Sequence, residues 1–101
     1  MTYAAYTFPA TKWVEKDASI VNQAKSIEEE ANEVYKAIWD FSFDGGSIED
    51  VAIEAVDVIQ SCETMLRILE EYHEVDIDAA VRAVYVKNDA RGYYEAGGWE
   101  S

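Results

Sequence analysis

The sequence has few of the residues that build covalent or metal cross-links. It contains one cysteine, Cys62, together with one proline and one histidine in 101 residues. A single cysteine excludes an intrachain disulfide and a cysteine-based zinc site, because both need more than one thiol. No apolar run approaches the roughly 18 residues of a membrane-spanning helix. The first ten residues also lack the basic and then apolar pattern of a signal peptide, so we expect a cytoplasmic protein without membrane contact.

Positive charge is also scarce. Eight Lys and Arg stand against 21 Asp and Glu, which gives a formal net charge of −13. Binding nucleic acid through a basic face, or docking on an anionic membrane, needs clustered cations, so both are disfavoured. Half of the residues are hydrophobic, so the chain is not a disordered acidic tail. An acidic protein of this kind can still bind a phosphate compound if a divalent cation lies between carboxylates and phosphates.

Apolar residues at helical spacing predict the first two long helices. The first would be capped by Asp17 or Ser19 and would end near Asp40, and Ser47 would cap the second. Residues 70–74 are polar and are expected to fray. The two apolar stripes consist of Ile20, Ala24, Ile27, Ala31, Val34 and Ile38, and of Val51, Ala55, Val58, Cys62, Leu66 and Leu69.

A third helix is predicted after residue 76, with Asp76 or Asp78 as its cap and Ile77, Val81, Val84 and Tyr85 facing inward. No segment alternates convincingly as a strand does. We therefore predict an all-α fold, a short helical bundle with antiparallel helices that is completed by oligomerisation. One domain is expected over residues 1–101, with a lead-in segment (1–16) and an irregular tail (87–101). The second helix is apolar beyond one face, which favours a second subunit as one of its neighbours.

Acidic residues three positions apart occur as Glu30/Glu33, Glu54/Asp57 and Glu71/Glu74. At about 100° per residue, Glu30 lies about 80° and Glu33 about 140° from the centre of the first apolar stripe. Glu54 and Asp57 lie at about the same two angles, on the same side, from the centre of the second stripe. The third pair points away from its stripe. Acid pairs usually mark a solvated helix face, but two matched pairs on antiparallel helices can also converge on Mg²⁺ or Mn²⁺.

The same residues form two motifs in sequence order. Residues 29–33 read as EExxE, and residues 54–57 read as ExxD. Together with Lys25, Ile27, Val58 and Ile59 around them, and with the tail KNDARGYY (residues 87–94), the chain resembles the MazG-like all-α nucleoside triphosphate pyrophosphohydrolases. Small members of this family occur in phages and bacteria, and the resemblance covers roughly residues 20–94.

The resemblance implies Mg²⁺-dependent cleavage of the α–β phosphoanhydride of a (d)NTP to a (d)NMP and pyrophosphate, in a homodimer or homotetramer. It implies Glu30, Glu33, Glu54 and Asp57 as metal ligands, with Mn²⁺ as a possible substitute. Glu29 would support these ligands or orient the attacking water, so Glu29 and Glu30 are the catalytic candidates. Lys87, Asn88 and Arg91 are candidates for the triphosphate, and the rings of Trp13 and Tyr94 for the base.

Two alternatives of other classes stay open. One is an acidic helical interaction protein without catalysis, such as an adaptor or a DNA mimic. The other is a nucleotide-binding member of the family that does not hydrolyse its ligand. Divalent-cation dependence separates the first alternative from the enzyme, and pyrophosphate release separates the second.

Overall fold

A computed structural model describes residues 6–16, 19–95 and 98–100. Most of the described residues are helical, with no strand among them, so the predicted all-α class is confirmed. The chain divides into two compact units, and the first of these is Tyr6–Val75. The second runs from Asp76 to the C-terminus. In chain order the elements are α1 (Trp13–Lys16), α2 (Ile20–Phe43), α3 (Ile48–His73), α4 (Ile77–Ala90) and a 3₁₀ turn (Gly98–Glu100).

Each long helix begins at a side-chain cap. The Ser19 and Ser47 hydroxyls accept hydrogen bonds from the backbone N–H groups of Asn22 and Asp50, each at 3.2 Å. The Asp76 carboxylate accepts one from the backbone of Ala79 at 3.0 Å. These bonds satisfy helix-terminal donors that would otherwise lack a partner. The caps at Ser19, Ser47 and Asp76 are confirmed, whereas Asp17 lies outside the described residues.

The helices run further than the sequence pattern predicts. α2 continues past Asp40 to Phe43, and the rings of Trp39 and Phe43 lie 4.7 Å apart on successive turns. The backbone carbonyl of Asp40 accepts bonds from Asp44 and Gly46, which close the end of the helix. Residues 70–73 do not fray but remain in α3. The predicted irregular segments also need correction, since α1 lies within the lead-in segment and α4 extends to Ala90.

The first unit is built on an antiparallel pair formed by α2 and α3. Four residues connect the two helices, which is too short a link for a parallel arrangement. The pairing confirms the direction, because Gln23 near the start of α2 donates to the Ser61 carbonyl late in α3 at 2.9 Å. Glu30, two turns further along α2, lies beside Glu54 and Asp57, which come earlier in α3.

The contact between α2 and α3 is rotated away from the predicted apolar stripes. Ile20 and Ile38 are 39% and 45% exposed, so much of the α2 stripe does not lie in the core. The least exposed positions of α2 are Gln23, Ser26, Ile27, Glu30, Val34 and Ala37. Their mean direction lies roughly 70° from the stripe centre, towards the side that carries Glu30. Much of the predicted α2 stripe therefore lies outside the contact with α3.

The rotation leaves an uncovered apolar surface on the helix pair. The predicted α3 stripe stays half-buried except at Ala55. Because the helices are antiparallel, the side of α3 that faces away from Glu54 and Asp57 lies on the same side of the pair as the exposed α2 stripe. Ile48 and Ile59 on α3 are 53% and 50% exposed. We call this surface the apolar face; it consists of Ile20, Ala24, Ala31 and Ile38 on α2 and of Ile48, Ala52, Ala55 and Ile59 on α3.

Residues 6–16 of the lead-in segment lie along the C-terminal half of α3. Val14 of α1 and Ile68 of α3 are the buried apolar side chains of this unit, with Ile68 fully enclosed. Thr11 and Thr64 join the two segments through their hydroxyl groups at 3.2 Å. Within the described part of the chain, no helix is long and apolar enough to cross a membrane.

The second unit is organised around Tyr85 of α4. The Trp99 ring stacks on Tyr85 at 4.2 Å with 6° between the planes, and the Tyr94 ring lies 5.1 Å away. The Tyr85 hydroxyl accepts a hydrogen bond from the Trp99 backbone at 3.0 Å. A Cβ at Gly98 would lie 2.6 Å from that hydroxyl, and its φ of +48° also disfavours a side chain. Part of the tail is thus an ordered aromatic cluster.

Candidate metal centre

Three carboxylates meet across the α2–α3 contact. Glu30 comes from the middle of α2, and Glu54 and Asp57 from the first turns of α3. Each offers one oxygen, and these oxygens lie within 4.8 Å of one another. Glu54 and Asp57 share a helix face because they are three residues apart, and the antiparallel pairing brings Glu30 opposite them. We call these residues the acidic triad.

The environment of the triad disfavours negative charge. The pKa of the Glu30 carboxyl is raised above its ordinary value, first by partial burial. The negative charges of Asp57, Glu54, Glu33 and Glu29 raise it further. Burial and like charges both favour the neutral acid. Glu30 and Glu54 are half-buried, whereas Asp57 is exposed.

The donor set of the triad fits a small hard cation. Carboxylate oxygens are the ligands that Mg²⁺ and Mn²⁺ prefer. Each bond from oxygen to Mg²⁺ is about 2.1 Å long, so two oxygens on opposite sides of the ion lie about 4.2 Å apart. Small side-chain rotations would bring the triad oxygens, now within 4.8 Å of one another, to such distances. A cation would also offset the repulsion that raises the pKa of Glu30.

The two other predicted acidic residues lie outside the triad. The Glu33 carboxylate is 3.6 Å from the Lys36 ammonium, and both side chains are well exposed. Glu33 and Glu54 line one cleft of about 160 Å³ near the α2–α3 connection. Glu29 is exposed. The role of Glu33 as a ligand and that of Glu29 in catalysis stay predictions.

A second cleft, of about 180 Å³, begins at Glu30 on the side of the lead-in segment. Trp13 forms part of its wall and is 50% exposed, and the Lys12 ammonium lies 4.8 Å above its ring. This cleft combines one aromatic ring with amide and hydroxyl groups, which suit a ligand with a flat ring and polar edges. Its lining residues are Thr11, Trp13, Gln23, Ser26, Glu30, Gln60, Ser61 and Thr64.

Most residues of this cleft were not predicted from sequence. Amides and hydroxyls are common on helix surfaces, so none of them stands out alone. A signal was nevertheless present, because Gln23, Ser26 and Glu30 follow the i, i+3, i+7 spacing of one helix face. Thr11 and Thr64 gave no such signal, since they are 53 residues apart.

The other predicted substrate residues belong to the second unit. Lys87 and Arg91 are exposed at the end of α4, and Asn88 is half-buried between them. The Tyr94 ring already stacks on Tyr85. Their assignment to the substrate stays a prediction. His73 is exposed at the end of α3, and Cys62 is a half-buried free thiol.

No family model, curated protein or solved structure matches this chain. The resemblance to the MazG-like family therefore stays a prediction from the sequence motifs and the residues around them. The geometry of the acidic triad is a separate observation, which depends on the fold and not on a comparison.

Proposed function

We propose that the protein is a Mg²⁺-dependent nucleoside triphosphate pyrophosphohydrolase that cleaves the α–β phosphoanhydride. The observation that carries the proposal is the convergence of Glu30, Glu54 and Asp57 across an antiparallel helix pair. Glu30 belongs to the EExxE motif, and Glu54 and Asp57 belong to the ExxD motif. The cytoplasm remains the expected location, since nucleoside triphosphates are found there.

The proposed reaction needs charge neutralisation and positioning more than a covalent nucleophile. Glu30, Glu54 and Asp57 would hold Mg²⁺, which would neutralise charge on the phosphates. Water oxygen bonds to the α-phosphorus, the bond from that phosphorus to the bridging oxygen breaks, and pyrophosphate leaves. A carboxylate accepts the proton of the water. Glu29, which lies outside the triad, and Glu30 are the candidates for this role.

The cleft beside Glu30 is our proposed site for the base and sugar of the nucleotide. Trp13 offers a ring for stacking at the edge of this cleft. The Lys12 ammonium covers one face of that ring, so a stacking ligand displaces it or uses the other face. Lys87, Asn88, Arg91 and Tyr94, on the second unit, stay substrate candidates on the strength of the sequence resemblance alone.

We also propose that the chain self-associates through the apolar face. Large apolar side chains on this face are 39% to 53% exposed. None of its eight residues is charged, although 29% of the chain is Asp, Glu, Lys or Arg. A second copy offers an equally uncharged face, so the contact buries apolar area without burying a charge. The proposed assembly is a homodimer or homotetramer.

The test is pyrophosphate release from a panel of canonical and modified NTPs and dNTPs, with Mg²⁺, Mn²⁺ or EDTA in parallel. We expect release from one or several nucleotides with either cation and none with EDTA. The wild-type protein must first be shown to be folded by circular dichroism. A folded sample that releases no pyrophosphate from any nucleotide contradicts the proposal.

The exposed apolar face also favours a second candidate, an acidic helical interaction protein without catalysis. Uncovered apolar area of this kind is a common feature of protein-binding surfaces. This candidate predicts that neutralising Glu30 or Asp57 leaves partner binding and fold intact. It also predicts no dependence on divalent cations.

A further inference from the structure

Glu63 of α3 is a buried carboxylate outside the acidic triad. It is 5% exposed. Its two oxygens accept hydrogen bonds from the backbone N–H groups of Thr7 at 2.7 Å and Phe8 at 2.9 Å. A buried charge is costly unless it is hydrogen-bonded, and bonds to a charged acceptor are among the stronger ones. The burial of Glu63 is therefore offset only while residues 7 and 8 stay against α3.

The side chains around Glu63 hold the same part of the lead-in segment. One Arg67 guanidinium nitrogen donates to the Phe8 carbonyl at 2.7 Å. The guanidinium carbon lies 3.9 Å from the centre of the Tyr6 ring. The Tyr6 hydroxyl donates to Glu70 at 3.2 Å. Three successive residues, 6, 7 and 8, are thus tied to one side of α3.

The chain leads from this attachment directly to the cleft beside Glu30. Thr11 contacts Thr64, the residue after Glu63, and Trp13 follows two positions later. Both Thr11 and Trp13 line that cleft. Val14, the residue after Trp13, is 4% exposed and anchors the segment. Phe8 and Thr11 are both attached to α3, so the chain approaches Trp13 along a path that these contacts define.

We propose that Glu63 is a positioning residue for the substrate cleft. It acts through the backbone of residues 7 and 8 and sets the place of Thr11 and Trp13, without touching the ligand. The inference rests on the proposed function for its ligand class, a nucleotide. Its structural part, the coupling between Glu63 and Trp13, is tested separately.

The kinetic test compares Glu63→Gln with Glu71→Gln. The glutamine introduced by Glu63→Gln keeps one acceptor oxygen but places its amide N–H group against a backbone N–H group. The acidic triad is unchanged, so we expect KM for the nucleotide to rise roughly tenfold and kcat to stay within about twofold. Glu71 is exposed, and its variant should match the wild type. The proposal is overturned if KM does not change, or if kcat falls by as large a factor as KM rises.

The structural test does not need activity. In a Trp39→Phe, Trp99→Phe background, Trp13 is the remaining tryptophan. We expect acrylamide to quench its fluorescence more strongly after Glu63→Gln and equally after Glu71→Gln. Unchanged quenching overturns the coupling. If the wild type releases no pyrophosphate but quenching rises, the proposed function fails while the coupling stands.

A milder variant guards against misfolding. Glu63→Asp retains the negative charge but shortens the side chain by one methylene group, so its carboxylate cannot keep both bonds to the backbone of Thr7 and Phe8 at their observed lengths. If Glu63→Gln does not fold, Glu63→Asp should still raise Trp13 quenching and KM in the same direction. No change in either measurement contradicts the proposal.

Discussion

Glu54 and Asp57 supply two of the three carboxylates that converge between α2 and α3. Glu54→Gln and Asp57→Asn preserve size while removing one negative charge each. We expect either change to lower Mg²⁺-dependent pyrophosphate release by about 100-fold or more, the scale seen when an electrostatic group at a reacting centre is lost. The helical circular dichroism signal should not change, since neither side chain caps a helix.

Glu71→Gln is the matched control for these variants. Glu71 lies on the same helix and is exposed. It should keep wild-type turnover. Full turnover in both Glu54→Gln and Asp57→Asn would remove these residues from the proposed metal site.

The contribution of Glu30 to the free energy of unfolding should fall as pH rises, whereas that of an ion-paired glutamate increases. Its pKa is raised in the folded state, so the folded chain holds this proton more tightly than the unfolded chain. Without metal, its contribution to stability therefore increases as pH falls from about 7 towards the ordinary glutamate range. We expect Glu30→Gln to raise the melting temperature near pH 7 in EDTA and to flatten this pH dependence.

Added Mg²⁺ should stabilise the wild type and not Glu30→Gln, because binding to the folded state alone raises the melting temperature. Thermal unfolding followed by circular dichroism measures both effects. A lower melting temperature for Glu30→Gln in EDTA would mean that the charged carboxylate stabilises the fold.

At the scale of helices, the Ser47 cap fixes the start of α3 just before the residues that form the triad. Its hydroxyl accepts the Asp50 N–H bond at 3.2 Å. Ser47→Ala should lower the free energy of unfolding by about 1 kcal/mol, as measured by urea denaturation. Ser42→Ala, at an exposed position inside α2, is the control and should leave stability equal or slightly higher. An equal effect of both changes would contradict the capping role.

The caps of the long helices could be predicted from sequence because each depends on residues three positions apart. Three of the four predicted ligands, Glu30, Glu54 and Asp57, do converge, because helical spacing and antiparallel pairing limit which acids can meet. The fourth, Glu33, lies outside the triad. The rotation of α2 away from its apolar stripe could not be predicted from the sequence. Periodicity gives apolar residues the most weight, whereas this interface includes the amide of Gln23 and the carboxyl of Glu30.

The contacts between the lead-in segment and α3 could not be predicted from the sequence either. Glu63 and Phe8 are 55 residues apart, and no spacing rule connects them. In the sequence alone, Glu63, Arg67 and Glu70 resemble ordinary solvent-exposed polar residues of a helix. Their role depends on backbone groups of another segment, which carry no side-chain signature in the sequence.

For the molecule as a whole, the apolar face makes self-association testable. We expect wild-type protein to sediment as a dimer or tetramer in analytical ultracentrifugation. Ile59→Glu places a charge in the apolar face and should shift the population to monomer, because burying an unpaired carboxylate is costly. A monomeric wild type would contradict the proposal.

Ile53→Glu is the matched control for that experiment. Ile53 is 59% exposed on the same helix, so the chemical change is the same. It lies nine residues from Cys62, about 180° around the helix from the centre of the α3 stripe. Its variant should keep the wild-type sedimentation. Dissociation by both variants would indicate a general effect of added charge.

Ile68, fully enclosed near the end of α3, gives the helix pair one rigid end. Towards the α2–α3 connection, the apolar side chains Ile48 and Ile53 are more than half exposed. Resistance to local opening follows buried apolar contact, so amide hydrogen exchange should be slowest around Ile68 and fastest near Ser47. The triad carboxylates of α3, Glu54 and Asp57, lie between Ser47 and Ile68. An ion or a second chain that binds there would slow exchange where the isolated helix pair opens most readily.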